Sequence, residues 1–294
     1  MQRIGFIGLG VMGAPMAANL VSAGYDVVGY NRSKAPVEQL VEAGGKAADS
    51  VTDATTDADV VITMLPAGPE VREVVLGEGG VLESAKPGLV LVDMSTIDPD
   101  TSVEVAEAAR DKDVQVLDAP VSGGEQGAVE GVLSIMVGGD ADAFETARPV
   151  LDVLGKTIVH VGPHGAGQTV KAANQLVVAG TIALVSEALV LLEASGVDPE
   201  RGLEVLAGGL AGNRILDRKA ASMLARDFKP GFRVDLHHKD MGIALDSARS
   251  AGVALPVTGL VSQLMAAARA QGHGSLDHSA LLRVIEQGSG RGEA

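Results

Sequence analysis

Arg3-Ile4-Gly5-Phe6-Ile7-Gly8-Leu9-Gly10-Val11-Met12-Gly13 decides the fold of this chain. Arg3 to Gly8 reads as a buried strand. A helical pattern then runs through Met16 and Leu20 to Ala23, closed by Gly24. Between them stands G-x-G-x-x-G in the setting that the motif needs, with a strand before it and a helix after it. Gly8 allows the tight turn, Gly10 lets backbone approach a pyrophosphate, and Gly13 lets the helix pack close to the sheet. The free N–H groups and dipole of the helix N-terminus favour phosphate. Gly8, Gly10, Val11, Met12 and Gly13 are therefore candidate cofactor-binding residues. The bland alternative, glycines in an ordinary turn, loses weight because the strand and helix flank them correctly.

Outward from this turn, Asp26-Val27-Val28-Gly29-Tyr30 is the second strand, followed by Asn31-Arg32-Ser33. An NAD-specific site usually has Asp or Glu here for the ribose hydroxyls. A guanidinium instead suits a 2′-phosphate through paired hydrogen bonds. Asn31, Arg32 and Ser33 thus favour NADP(H), with NAD(H) the alternative. Asp59 to Pro66, Leu89 to Thr96 and Val114 to Asp118 are further apolar runs that end in small or turn residues. Helical stretches alternate with them, which implies a parallel sheet with helices on both faces. Ligands sit at the carboxyl ends of such strands, so Met64, Leu65, Pro66 and Thr96 are expected to line a cofactor crevice. Leu133 to Gly139 and Lys156 to Val161 add final strands, separated by a helix from about Asp142 to Leu154.

The chain has 294 residues, 46% hydrophobic and 21% charged, enough for two domains with a sizeable core. Aromatics make up 2%, and Cys and Trp are absent, so Val, Leu, Ile, Ala and Met must build that core. Lys and Arg number 23 against 38 Asp and Glu, a formal charge of -15, which argues against nucleic acid as a partner. Met1 to Gly5 runs straight into a strand pattern, without a charged leader and apolar h-region, and a cytoplasmic location is expected. Leu176 to Leu192 is apolar but interrupted by Gly180, Thr181, Ser186 and Glu187, so a buried interface helix is expected rather than a membrane span.

After Gly167 no strand pattern recurs. Gln168 to Ala194 is continuously helical in character, roughly 40 Å of helix at 1.5 Å per residue, and is expected to link two domains. Asp198 and Pro199 form the N-cap and first turn of the next helix. Further helical patterns cover about Arg201 to Ala207, Leu216 to Ala225, Leu236 to Ala248, Val257 to Ala270 and His278 to Gln287. The expected organisation is a Rossmann domain over 1–162 and an all-helical domain over 163–294. The linking helix occupies about 165–194, and a mobile tail covers 288–294.

A nicotinamide exchanges hydride with a carbonyl carbon, so the site needs a proton donor at the oxygen. Gly162-Pro163-His164-Gly165-Ala166-Gly167-Gln168-Thr169-Val170-Lys171-Ala172-Ala173-Asn174 supplies one. Lys171 and Asn174 share a helix face at a spacing of three. Lys171 can donate the proton; Asn174 can fix the substrate or orient the ammonium group. Asp118-Ala119-Pro120-Val121-Ser122-Gly123-Gly124 opens a strand end into glycine. Ser122, Gly123 and Gly124 suit a substrate carboxylate, unless they are simply a flexible turn. Lys239-Asp240 opens a helix of the second half. There Lys239 could close over the nicotinamide, although by itself the pair reads as a surface ion pair. His237 and His238 are adjacent, so a helix turns them apart. With no thiols and no metal spacing, no metal is expected.

These segments together resemble the β-hydroxyacid dehydrogenase family, over nearly the whole chain. The carrying motifs are Gly8 to Gly13 with Pro15-Met16-Ala17-Ala18-Asn19-Leu20, Asp118 to Gly124, Gly162 to Asn174, and Lys239-Asp240. The resemblance implies that Lys171 is the catalytic lysine and that Ser122, Gly123 and Gly124 hold the substrate carboxylate. It makes Asn174 the substrate-side asparagine and Lys239 the nicotinamide-side lysine. It also implies a helical domain that pairs between subunits, as a homodimer or homotetramer. Gly208 to Gly212, Asp227 to Leu236, Leu276 to Ala280 and Val71 to Gly77 look most like members that reduce tartronate semialdehyde (2-hydroxy-3-oxopropionate), and Val71 joins the expected cofactor-binding positions. Members acting on 3-hydroxyisobutyrate, glyoxylate or succinic semialdehyde are the alternative. The family often has a second asparagine where this chain has Gln175, a departure that bears on a substrate hydroxyl contact. A non-catalytic dinucleotide-binding module would be marked by loss of the lysine, and Lys171 is present.

Overall fold

The computed structural model describes residues 2–291. The chain divides into two compact units that part between Lys171 and Ala172.

The N-terminal unit is built on one sheet. Its strands are β1 (Arg3–Ile7), β2 (Asp26–Tyr30), β3 (Lys46–Ala47), β4 (Val60–Thr63), β5 (Val90–Asp93), β6 (Gln115–Asp118), β7 (Val121–Ser122), β8 (Leu133–Gly139) and β9 (Gly155–Gly162). From one edge the order is β3-β2-β1-β4-β5-β6-β8-β7, with β9 also pairing to β8. The six strands from β3 to β6 are parallel. The order reverses between β1 and β4, which is where a Rossmann sheet opens its ligand crevice. Side chains alternate between the two faces at a period of two. Ile4, Phe6, Val60, Ile62, Val90 and Val92 join one core, with Met16, Leu20, Val150 and Leu154 from the helices Gly13–Ser22 and Ala141–Leu154. Ile7, Val28, Val61, Leu91 and Val116 join the other, with Val71 and Val75 of Gly68–Leu76 and Val105 and Ala109 of Pro99–Arg110.

The wholly parallel sheet expected from the alternation of elements holds only as far as β6. β8 runs antiparallel to β6 and to β7. The cause is the connection: between Asp118 and Leu133 lies only β7 and the short helix Gly124–Val129, where a parallel return needs a longer crossover. The two-residue strands β3 and β7 carry too little alternation to be read from the sequence.

The C-terminal unit is helical. Around the segment from Ala172 to the end of helix Ala166–Ala194 stand Pro199–Gly208, Arg214–Leu224, Val234–Ala251, Pro256–Ala270 and Leu281–Gly288. Ala179, Ile182 and Leu189 meet Leu216, Met241, Met265 and Leu281 in its core. Asp198 caps Pro199–Gly208 by accepting from the N–H groups of Glu200 and Arg201, as its place before Pro199 predicts. Ala166–Ala194 has the length and hydropathy of a membrane-crossing helix, but 44% of its most apolar stretch is buried inside the fold. Of the expected tail, Gly288 ends the last helix, and Arg291 N–H donates back to the Glu286 carbonyl at 2.8 Å. Positions 292–294 lie outside the described residues.

Candidate active site

The glycine turn after β1 is built from backbone. Gly8 has φ of +101°, a conformation that L side chains rarely adopt. A Cβ on Gly13 would collide with the Gly8 carbonyl oxygen, which is how closely the helix start seats against the turn. A Cβ on Gly10, in contrast, would meet nothing within 4 Å. No packing constraint therefore explains that glycine, and the space beside it is open to a ligand. Val11 is exposed, and Met12 occupies the N-cap of Gly13–Ser22 without a side-chain cap; Ala14 N–H is taken by the Gly10 carbonyl at 2.9 Å and Pro15 has none, so the turn offers the N–H groups that precede Ala14. A dinucleotide phosphate fits this arrangement.

A cavity of about 290 Å³ opens beside the turn. Gly8, Gly10, Asn31, Arg32, Met64, Leu65 and Pro66 all line it. Asn31 Oδ1 accepts from Leu9 N–H at 3.1 Å, and its amide donates to Ser33 Oγ at 2.8 Å. Asn31 thus ties the glycine turn to the end of β2, and Ser33 supports it from outside the cavity wall. Arg32 is exposed and engages no other described residue. Val71 does not line the cavity. It is fully buried in the apolar core, while Val74, one turn along the same helix, faces the space. Glu70, Glu73 and Glu78 also line it, and the sequence reading did not single them out.

The other end of the strand-end row is made of buried side chains. Asp93 Oδ1 accepts from Thr63 Oγ1 at 2.7 Å and from Ser95 N–H at 3.1 Å. Ser95 Oγ accepts from Leu65 N–H at 2.8 Å. Gln168, 1% exposed, closes the chain: its Nε2 donates to Ser95 O at 2.9 Å and its Oε1 accepts from Ile97 N–H at 3.1 Å. Thr96, half-buried, sits between those two clamped residues. Gln168 lies in the first turn of helix Ala166–Ala194, which carries Lys171.

Asp118, at the end of β6, anchors the same helix. Its carboxylate accepts from Gly165 N–H at 2.8 Å and Gln168 N–H at 3.0 Å, filling the role of an N-terminal cap from a distant strand. Burial pushes its carboxyl up to about 6, against the two backbone donors that favour the charged form, and nearby Asp93 raises it further. Gly138 and Gly167 leave room for this carboxylate, since a Cβ on either would press on it.

Lys171 is 6% exposed. Its Nζ donates to the Val121 carbonyl at 2.7 Å. Val121 immediately precedes Ser122, Gly123 and Gly124, so the ammonium group stands at the foot of that loop. Gly123 and Gly124 have φ of +148° and +65°, a conformation open to glycine and costly for other residues. Nothing lies within 4 Å of a Cβ on Gly124.

In the C-terminal unit Asn174 Nδ2 donates to Gln175 Oε1 at 2.7 Å, and Gln175 Nε2 donates to Asp240 Oδ2 at 2.6 Å. Asp240, 2% exposed, also meets Lys239 Nζ at 3.2 Å. The Lys239–Asp240 pair is therefore not a surface ion pair; its acid half is a buried hub. Gln175 has the reach to join Asn174 to that hub. His237, fully buried, bonds the Gln175 carbonyl at 3.1 Å and His278 Nδ1 at 2.9 Å. His238 points elsewhere, as adjacent helical positions must.

Asp118, Gln168, Asp240 and Glu70 escaped the sequence reading as site residues. Asp118 left a trace as the last residue of a strand, Asp240 as the partner of Lys239, and Gln168 as a member of the Gly162 to Asn174 stretch.

A Rossmann sheet with a glycine turn, a strand-end cavity and a buried lysine fits a NAD(P)-dependent oxidoreductase. Comparison with known proteins narrows the class. Residues 3–162 match the NAD binding domain of 6-phosphogluconate dehydrogenase, and residues 165–285 match the NAD-binding domain of NADP-dependent 3-hydroxyisobutyrate dehydrogenase. The chain is 43% identical to 2-hydroxy-3-oxopropionate reductase of Escherichia coli, over 97% of each protein. It is 40% identical to 2-(hydroxymethyl)glutarate dehydrogenase of Eubacterium barkeri, over 98% of this chain and 96% of that one. Among solved structures, Mycobacterium tuberculosis 3-hydroxyisobutyrate dehydrogenase with L-serine superposes with a TM-score of 0.88 at 37% identity, covering 97% of this chain and 99% of that one. The chain belongs to the 3-hydroxyisobutyrate dehydrogenase-like family of β-hydroxyacid dehydrogenases.

Proposed function

We propose that the enzyme reduces a small carboxylate-bearing semialdehyde, with tartronate semialdehyde to glycerate as the favoured reaction and NADPH as the favoured coenzyme. The observation that carries this is the buried Lys171 ammonium beside the Ser122-Gly123-Gly124 loop. The coenzyme supplies the hydride. The loop's backbone N–H groups and the Ser122 hydroxyl receive the substrate carboxylate. Lys171 Nζ gives its proton to the carbonyl oxygen as negative charge builds there, and takes it back in the oxidative direction. Val121 O and the clamped helix start hold that amine in place, so little reorganisation accompanies the transfer. Asn174, one helical turn on, fixes a substrate hydroxyl, with Gln175 and Asp240 setting the orientation of its amide. Lys239 is assigned the nicotinamide side on the family resemblance alone.

Arg32, exposed on the cavity wall and paired with no carboxylate among the described residues, supports the preference for a 2′-phosphate. Three further observations bear on partners and place. The 43% identity to a 2-hydroxy-3-oxopropionate reductase supports the substrate. Val177, Leu184 and Leu191 form an exposed apolar row at intervals of seven, the spacing of helix pairing, and support a homodimer or homotetramer. The lack of cysteine agrees with a cytoplasmic enzyme.

Initial rates with tartronate semialdehyde, methylmalonate semialdehyde, succinic semialdehyde and glyoxylate, each with NADH and NADPH, test the assignment. Tartronate semialdehyde with NADPH is expected to give the highest kcat/KM. A higher value for methylmalonate semialdehyde would move the assignment to 3-hydroxyisobutyrate, whose methyl group replaces a hydroxyl.

A further inference from the structure

We propose that Glu70 is the hydrogen-bond acceptor for the 6-amino group of the coenzyme's adenine. This rests on the dinucleotide reading of the cavity and names a residue that selects its base.

Glu70 stands in the first turn of helix Gly68–Leu76, four residues past Pro66 at the end of β4. Its side chain lines the cavity. One carboxylate oxygen, Oε2, is buried and has no hydrogen-bond partner among the described residues. A buried carboxylate oxygen without a donor is costly, so native structures fill such sites. The nearest basic residue in the helix, Arg72, turns its Nε to Glu104 at 2.7 Å. No described residue supplies the donor, and an occupant of the cavity that Glu70 lines is placed to do so.

The chemistry of that occupant is narrow. A phosphate offers only acceptor oxygens and negative charge, and a carboxylate repels both. Val51, Leu65 and Val74 line the same cavity and suit the flat apolar faces of a purine. Adenine's exocyclic amine is a donor set between the ring acceptors N1 and N7, and it is the one group on that edge that an acceptor-only carboxylate can bind. The ribose hydroxyls are the competing donors. A plain helix-dipole role for an acid in the first turn would affect stability but would not distinguish one base from another.

The test uses the full-length protein and measures dissociation constants by nucleotide fluorescence for the wild type, Glu70→Ala and Glu70→Gln. The probes are NADPH, NADH and the reduced purine analogue of NADPH, in which hydrogen replaces the 6-amino group and no new donor is created. Melting temperatures verify that each variant is folded. Wild-type protein is expected to bind NADPH at least about tenfold more tightly than the analogue. Glu70→Ala should weaken NADPH by a similar factor and bring the NADPH-to-analogue ratio close to one. Glu70→Gln, which keeps a neutral acceptor, should fall between. If Glu70→Ala leaves the ratio at its wild-type value, the proposal is overturned. It is equally overturned if Glu70→Ala changes only the ratio of NADPH to NADH, since that would assign the residue to the ribose. Wild-type protein that binds NADPH without distinguishing the analogue sinks the adenine contact alone. Wild-type protein that binds none of the three sinks the cofactor reading with it.

Discussion

The two ends of the strand-end row in the N-terminal unit are built by opposite means. At Gly8 to Gly13 the surface offered to a ligand is backbone. Side chains are missing there: at Gly13 the chain has no room for one, whereas at Gly10 the space stands open. At Asp93, Ser95, Asp118, Gln168 and Lys171 the surface is a set of buried polar side chains, each bonded to a partner far away in sequence. The first end leaves open backbone; the second fixes one amine in place. The difference teaches that glycine in this fold serves two separate ends, packing and access, and that only the structure tells them apart.

The most damaging single change is expected at Gly13. Gly13→Val drives a side chain into the Gly8 carbonyl, which is backbone and cannot rotate away. A loss of about 3 kcal/mol of stability is expected in urea unfolding, with loss of dinucleotide binding. Asp118→Asn comes next. An amide cannot accept from both Gly165 and Gln168 N–H groups, so about 2 kcal/mol should be lost, and kcat should fall as Lys171 shifts. Gly10→Ala sharpens the contrast, because its site is open. Stability should change by less than about 0.5 kcal/mol, whereas NADPH affinity should fall well outside measurement error. A parallel loss of stability there would make Gly10 a packing glycine.

Asp118 also gives the comparison a pH dependence. Its carboxyl is raised from 3.8 to about 6 by burial, so the folded state favours the protonated form more than the unfolded chain does. This contribution to stability is complete below pH 3.8 and is lost as pH rises to 6. The stability difference between wild type and Asp118→Asn, measured by urea unfolding at intervals over that window, should therefore shrink as pH rises. A difference that grows instead would mean that the carboxyl is held low by its N–H donors. The smallest effect is expected at Arg32, on an exposed wall. Arg32→Asp should leave stability unchanged and move coenzyme preference from NADPH toward NADH by about tenfold, read from the ratio of kcat/KM values. A variant that keeps its NADPH preference would remove the 2′-phosphate role.

The backbone-built end was legible because glycine spacing, strand and helix follow one another within a dozen residues. Lys171 and the Ser122 loop were legible as separate motifs, and the expected helices of the C-terminal unit appear at the expected places. What stayed hidden is non-local. Gln168 reaches residues 71 and 73 positions away, and Asp118 reaches 47 and 50. Amide and acid side chains are usually solvated, so neither declares burial in a sequence. The antiparallel turn at β8 depends on the length of a connection, and Glu70 depends on a donor missing from its surroundings. Periodicity carries neither. Gln175 shows the same limit from the other side: it stood out as a departure from the family pattern, and only its bond to Asp240 gives the longer amide a purpose.

The central claim is that a buried ammonium, held by Val121 O at 2.7 Å, protonates the substrate oxygen while the glycine turn independently holds the coenzyme. Replacing Lys171 by Ala and measuring NADPH dissociation and tartronate semialdehyde turnover on the same folded sample tests it most directly. The account predicts turnover lower by about a thousandfold with NADPH affinity little changed. Turnover near the wild-type value, or a loss explained wholly by weaker NADPH binding, would contradict it.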